Sequence, residues 1–169
     1  EDYYRTCFLD IIVDNEAHFR DTKALDFGCG CGRNIKNLLD LNVFSQVDGC
    51  DISKKNVEYS KKYIESEYPE KSNTWETDGY TLKPSSDNEY SFIMSHIVFQ
   101  HIANWHIRFS ILADVYRTLK PGGLAMIHFM DLDDSVSYKA SYPEPGTTGE
   151  HGLINCRVEN INFVIDDFN

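Results

Sequence analysis

The sequence predicts an α/β fold, a doubly wound and mostly parallel sheet of six or seven strands with helices on both faces. Three observations predict it. Short apolar runs of strand type alternate with stretches of helical periodicity. A glycine-rich turn, Gly28-Cys29-Gly30-Cys31-Gly32, joins the first such run to the first helical pattern. Acids stand at the ends of the first two runs, Asp26 and Asp51. Alternation at this spacing implies βαβ units, in which each crossover helix lies on a sheet face and the strands pair in parallel.

Each element has its own justification. Lys23–Phe27 is a short strand that ends in glycines. Ile35, Leu38 and Leu39 recur at i, i+3, i+4 and predict a helix to about Leu41. Val43 to Asp51 holds the second strand. Ser53 is an N-cap for a helix through about Glu67, with Val57 and Ile64 inward and a Glu58–Lys62 pair outward. A third strand falls at Asn73–Thr77, and Tyr90–Ser95 is a compact buried fourth. Asn104 caps a helix whose Ile107, Ile111, Leu112, Val115 and Leu119 share one face, and Lys120-Pro121-Gly122-Gly123 stops it. Leu124 to Phe129 is the fifth strand. Ser141–Gly152 is a loop by composition. Asn162 to Phe168 is one more strand, and Leu153–Val158 is ambiguous.

Composition narrows the function. The 169 residues suffice for one core and so for a single domain over 1–169. Hydrophobic residues make up 41% and aromatics 13%, a globular composition. Sixteen Lys+Arg against 27 Asp+Glu leave a charge of −11, which argues against phosphate neutralisation and so against a nucleic-acid partner. No apolar run approaches a membrane span. The N-terminus lacks the basic-then-apolar order of a secretory signal and an initiator Met, so the chain reads as trimmed or as a fragment. Five cysteines, an odd number with two in the glycine turn, argue against a disulfide scaffold and for a cytoplasmic setting. Cys29-x-Cys31 is not a zinc spacing, and His96, His101 and His106, five apart, do not share a helical face. No metal is expected.

The glycine turn carries the chemistry. Glycine lets a backbone approach a ligand closely where a strand enters a helix. The nicotinamide fingerprint would need glycine where Arg33 stands, and the Gly-Lys-Ser/Thr of a phosphate loop is absent. Asp51, nineteen residues after Gly32, is placed to accept both hydroxyls of a ribose. Asp26 would repel phosphate and suits an ammonium group. An adenosine ligand with an amino-acid tail and no phosphate, S-adenosylmethionine, satisfies both acids.

Over residues 20–130 the sequence resembles the Rossmann-like, class I S-adenosylmethionine-dependent methyltransferases. The resemblance rests on the D-x-G-x-G-x-G turn at Asp26–Gly32, the acid at Asp51 and the step Thr77-Asp78-Gly79. It continues in the segment Phe92 to Ile102 and in Leu119-Lys120-Pro121-Gly122-Gly123-Leu124. It implies that Gly28, Cys29 and Gly30 lie under the methionine part and that Asp26 orients that part. It implies that Asp51 binds the ribose, Ile52 packs on the adenine, and Asp78 accepts from the adenine amino group beside Gly79. Ser95 and His96 would flank the methionine end and open toward the acceptor. His96 and His101 are the candidate bases, and Arg33 stays outside the site. His128 reads as a core histidine, Trp75 and Trp105 as packing residues, Tyr59 and Tyr63 as helix cover, and Tyr3 and Tyr4 as a lid.

The family sheet ends in an antiparallel edge hairpin. Here Leu153–Val158 and Phe163–Phe168 form a short version of it, or the last strand is missing. No Asn/Asp-Pro-Pro-Tyr/Phe stretch follows the fourth strand, which favours a small-molecule acceptor. The resemblance implies in-line methyl transfer, with no nucleic-acid or membrane partner and a monomer or homodimer. The competing readings are a non-catalytic S-adenosylmethionine-binding module and a nicotinamide oxidoreductase.

Overall fold

The structure, a computed structural model, describes residues 5–102, 104–129, 136–137 and 156–157. A π-type turn at Arg5–Leu9 runs into two short helices, α1 (Asp10–Asp14) and α2 (Glu16–Phe19). Then come β1 (Lys23–Phe27), α3 (Arg33–Asp40), β2 (Gln46–Asp51), α4 (Lys54–Glu67) and β3 (Thr74–Glu76). β4 (Tyr90–Ser95), a single 3₁₀ turn at Phe99–His101, α5 (Trp105–Thr118) and β5 (Leu119–Ile127) follow. The strands form one sheet in the order β3-β2-β1-β4-β5, with every neighbouring pair parallel. The connections reverse direction between β1 and β4. At such a switch point two crossovers diverge and leave a crevice at the carboxyl ends of the strands.

Period-2 alternation divides the core between the two faces of the sheet. Ala24, Val47, Phe92 and Met94 pack with Phe8, Ile12, Phe19, Ile35, Leu38 and Ile64. Leu25, Phe27, Cys50, Tyr90 and Ile93 face the other way, onto Leu82, Phe99, Ile111, Leu112 and Val115. Burial of strands on both faces is what a parallel sheet requires, because helices cover each side. Both expected N-caps are made. Ser53 Oγ accepts from Asn56 N at 3.3 Å, and Asn104 Oδ1 accepts from His106 N at 2.9 Å.

Two boundaries differ from expectation. The second strand begins at Gln46 rather than Val43, because Val43 and Phe44 are buried as part of the connection. The fifth begins at Leu119 rather than Leu124. Its pairing with β4 passes from Tyr90↔Leu119 to Phe92↔Leu124, so Lys120–Gly123 bulge out of the ladder. Pro121 has no N–H to give the ladder, and Gly122 takes φ +77°. Beyond residue 129, Val136–Ser137 (β6) pairs in parallel with Cys156–Arg157 (β7), and Phe163–Phe168, the partner in the expected edge hairpin, lies outside the described residues. The expected lid at Tyr3 and Tyr4, the loop Ser141–Gly152 and the strand Asn162–Phe168 lie outside the described residues. Among the described residues no helix is long and apolar enough to cross a membrane, and Cys7, Cys29, Cys31 and Cys50 are free thiols.

Candidate functional site

The glycine turn closes the crevice at the end of β1. Gly28, Gly30 and Gly32 take φ of +77°, +53° and +91°, a region that costs a side-chain-bearing residue about 1–2 kcal/mol. The turn is pinned to β2, where Gly28 N and Cys29 N both donate to the Cys50 carbonyl, at 2.8 and 3.0 Å. The three glycines have different surroundings. A Cβ on Gly32 would lie 2.6 Å from Ser60 Oγ, so that glycine lets α4 pack against the turn. A Cβ on Gly28 would lie 2.3 Å from Val98 Cγ2. Around the corresponding point on Gly30 there is no heavy atom within 4 Å. Gly30 presents bare backbone to open space, which is what close approach by a ligand needs.

The two acids have contrasting environments. Asp51 is buried and already engaged. Its Oδ2 accepts from Gly30 N at 2.9 Å, and its Oδ1 accepts from Ser53 N at 2.8 Å and Asn56 Nδ2 at 3.2 Å. A carboxylate has about four acceptor sites, so some capacity stays open toward the cleft. Asp26 is fully buried, and neither of its oxygens has a hydrogen-bond partner of ordinary geometry. Burial pushes its carboxyl up to about 7, the Asn34 side chain draws it back, the Asp51 charge adds to the rise, and Arg33 opposes it. Asn34 and Arg33 offset only part of the cost of burying this acid.

A cleft of about 610 Å³ opens over these strand ends. Phe27, Gly28 and Asp51 form its floor, and Val98, His101 and Ile102 form its far wall. Ile52, 69% exposed, and the turn Asp78-Gly79-Tyr80 form its rim. A Cβ on Gly79 would meet Ile52 Cδ1 at 3.1 Å, so the glycine keeps a slot open beside that side chain. The Asp78 carboxylate caps its own turn, accepting from Tyr80 N at 2.8 Å, Thr81 N at 2.7 Å and Thr81 Oγ1 at 3.0 Å. These bonds hold it below the usual carboxylate range.

The structure therefore brings Gly28, Asp51, Ile52, Asp78, Gly79 and His101 to one cleft, with Gly30 held at its floor through Asp51. Others fall elsewhere. Cys29 turns down into the sheet, where its Sγ would stand 3.0 Å from a Cβ on Gly49, and burial pushes its thiol up. Ser95 is buried beneath the floor and donates to the Phe27 carbonyl at 3.0 Å. His96 does not line the cleft. Its ring stacks on His128 at 5.2 Å and meets Phe8 edge-on, also at 5.2 Å. His128 follows β5 and is half-buried, so it is not the core histidine that the sequence predicts. Tyr80, Val98 and Ile102 were missed as lining residues. Tyr80 was within reach of reasoning because it follows Asp78-Gly79 directly. Val98 was not, because its place depends on Ile97 adopting φ +60°, a rare state for a β-branched residue.

Fold and site together define a doubly wound α/β domain with a ligand-sized cleft at the carboxyl ends of its parallel strands. Residues 24–123 match the family described as "Methyltransferase domain". The chain belongs to that family, the class I S-adenosylmethionine-dependent methyltransferases. The uncharacterized protein RP028 of Rickettsia prowazekii is 29% identical over 118 residues, covering 70% of this chain and 46% of its own. PKMT2 of Rickettsia typhi, solved in complex with AdoHcy, superposes with a TM-score of 0.58 at 26% identity, over 67% of this chain and 21% of its own. A S-adenosylmethionine-dependent methyltransferase of Clostridium acetobutylicum superposes at 0.63 with 18% identity, over 73% of this chain and 48% of its own. The chain spans less than half the length of each of these three proteins.

Proposed function

We propose that this chain binds S-adenosylmethionine in the cleft over Gly28–Gly32 and takes part in in-line transfer of its methyl group to a small-molecule acceptor. One observation carries the reading: Asp51, an acid with open acceptor capacity, lines the cleft beside Gly28 and holds the bare backbone of Gly30, while the fully buried Asp26 lies near the end of the neighbouring strand. The residues fit the group. Asp51 would accept from the ribose hydroxyls. The slot between Ile52 and Gly79 would take the adenine, with Asp78 the candidate acceptor for its amino group. Asp26 would orient the methionine ammonium, directly or through water, and that cation would favour its charged form. A pyrophosphate ligand would meet the Asp26 charge instead, which disfavours a nicotinamide cofactor. Bound there, S-adenosylmethionine supplies a methyl group already activated by the sulfonium charge.

The chain's own task is then positioning, which can contribute on the order of 7–11 kcal/mol to a displacement. The cleft walls at Val98 and Ile102 exclude water, and Asp51 fixes the floor. The −11 charge of the chain favours a small acceptor over nucleic acid. Calorimetric titration with S-adenosylmethionine, with Asp51→Ala as control, tests the reading. Saturable heat from the native protein and little from the variant is expected. Absence of heat from the native protein would overturn it.

A further inference from the structure

The stacked histidines do not line the cleft, yet they stand at the same end of the sheet, after β4 and β5. Asp51 and Ile52 are at the end of β2. His96 follows β4 and His128 follows β5, on the other side of the switch point. A nucleoside held by Asp51, with its amino-acid end oriented by Asp26 near the end of β1, would extend from β2 across β1 toward those two strand ends. The two positions are coupled through the backbone, because His128 N donates to the Ser95 carbonyl at 2.9 Å. The rings are nearly parallel, 20° apart. Phe8 meets the His96 ring at 79°. His96 is thus gripped between an imidazole and a benzene ring, a geometry that fixes its direction.

We propose that His96 is the proton acceptor for a hydroxyl-bearing methyl acceptor, with His128 as the positioning residue stacked on it. This rests on the cofactor reading above. Burial, the neighbouring His128 and the Arg33 cation all disfavour the imidazolium form of His96, and burial does the same for His128. Among the described residues, the titratable and charged groups that act on His96 are His128, after β5, and Arg33 of α3. The ring is therefore neutral near pH 7 and able to take a proton. Arg33 also selects the substrate. It is exposed, at the start of α3, with no ion pair among the described residues. A cation there repels an ammonium-bearing acceptor and favours an oxygen that gains negative charge. In the step, the hydroxyl oxygen bonds to the methyl carbon while the carbon–sulfur electron pair stays on sulfur. The hydroxyl proton goes to His96, which then returns it to water.

The test needs no known acceptor. The imidazole protons of the full chain are titrated by NMR in saturated complexes with S-adenosylmethionine and with S-adenosylhomocysteine, which differ by the methyl group and its positive charge. If His96 faces the reacting centre, its midpoint in the sulfonium complex lies lower by roughly half a pH unit. His128→Phe keeps a stacked ring and removes the second titrating group, so the His96 midpoint should rise toward its ordinary value. Equal His96 midpoints in the two complexes would overturn the base assignment and leave cofactor binding intact. An unchanged His96 midpoint in His128→Phe would remove His128 from it. Failure of both ligands to bind would overturn the cofactor reading, and this inference with it.

Discussion

Asp51 and Gly30 are joined by a hydrogen bond of 2.9 Å from the Gly30 amide to Asp51 Oδ2, which ties the end of the second strand to the glycine turn. The same carboxylate caps the start of the next connection through Ser53 N. One buried acid thus shapes the turn and lines the cleft. Asp51→Ala should lower affinity for S-adenosylmethionine at least tenfold and lower stability by about 1–3 kcal/mol, since it removes three part-buried hydrogen bonds, from Gly30 N, Ser53 N and Asn56 Nδ2. Calorimetry and urea melts read the two effects separately.

Asp26 makes the protein's stability depend on pH in the direction opposite to a paired acid. Its carboxyl stands at about 7 in the folded protein, against an ordinary value of 3.8 once the chain unfolds. Between those values the unfolded chain has released the proton and the folded one still holds it. Stability from this group is therefore complete below about 4 and is lost as pH rises to about 7. The full difference corresponds to roughly 4 kcal/mol. Asp26→Asn should flatten the decline in melting temperature over that window while weakening cofactor binding. In the native protein, a bound ammonium should drive proton release near pH 6–7. Titrations in buffers of different ionisation enthalpy measure that release.

Two glycines of one turn should fail in different ways when mutated. Gly32→Ala forces a methyl group onto Ser60 Oγ at a left-handed φ and should cost about 1–3 kcal/mol of stability. Gly30→Ala meets no atom and should cost about 1 kcal/mol, from the backbone alone. Its methyl group projects into open space at the amide bound by Asp51, so, if S-adenosylmethionine approaches that backbone, its affinity should fall by more than stability explains. A melt of each variant beside its binding isotherm separates the cases.

The rim of the cleft depends on an ion pair below it. Asp114 Oδ2 accepts from Leu82 N at 2.5 Å, and Asp114 Oδ1 accepts from Arg117 Nε at 2.5 Å. Arg117 also donates to the Ser85 carbonyl at 3.1 Å. Asp114→Ala should release the segment after Tyr80 and cost about 1–2 kcal/mol. The expected binding change is a modest loss of affinity, several-fold and not a hundredfold, because no ligand contact is removed. Proteolysis within residues 80–88 should become faster.

The sequence by itself determined the elements and the family resemblance. Short apolar runs around Leu25 and Ile93, helical periods around Ile35 and Ile111, and caps at Ser53 and Asn104 are local signals, each set by residues a turn or two apart. The glycine turn and Asp51 were legible for the same reason, since a ligand-facing turn needs glycine whatever surrounds it. Tertiary structure alone decided which of those residues face the cleft. Ser95 and Cys29 occupy motif positions but point into the sheet, because strand alternation and packing against Gly49 set their direction. His96 and His128, 32 residues apart, meet because β4 and β5 are adjacent in the sheet. The charge state of Asp26 belongs to this second class too: burial and neighbours supplied by other elements set it, and no single stretch of sequence encodes them.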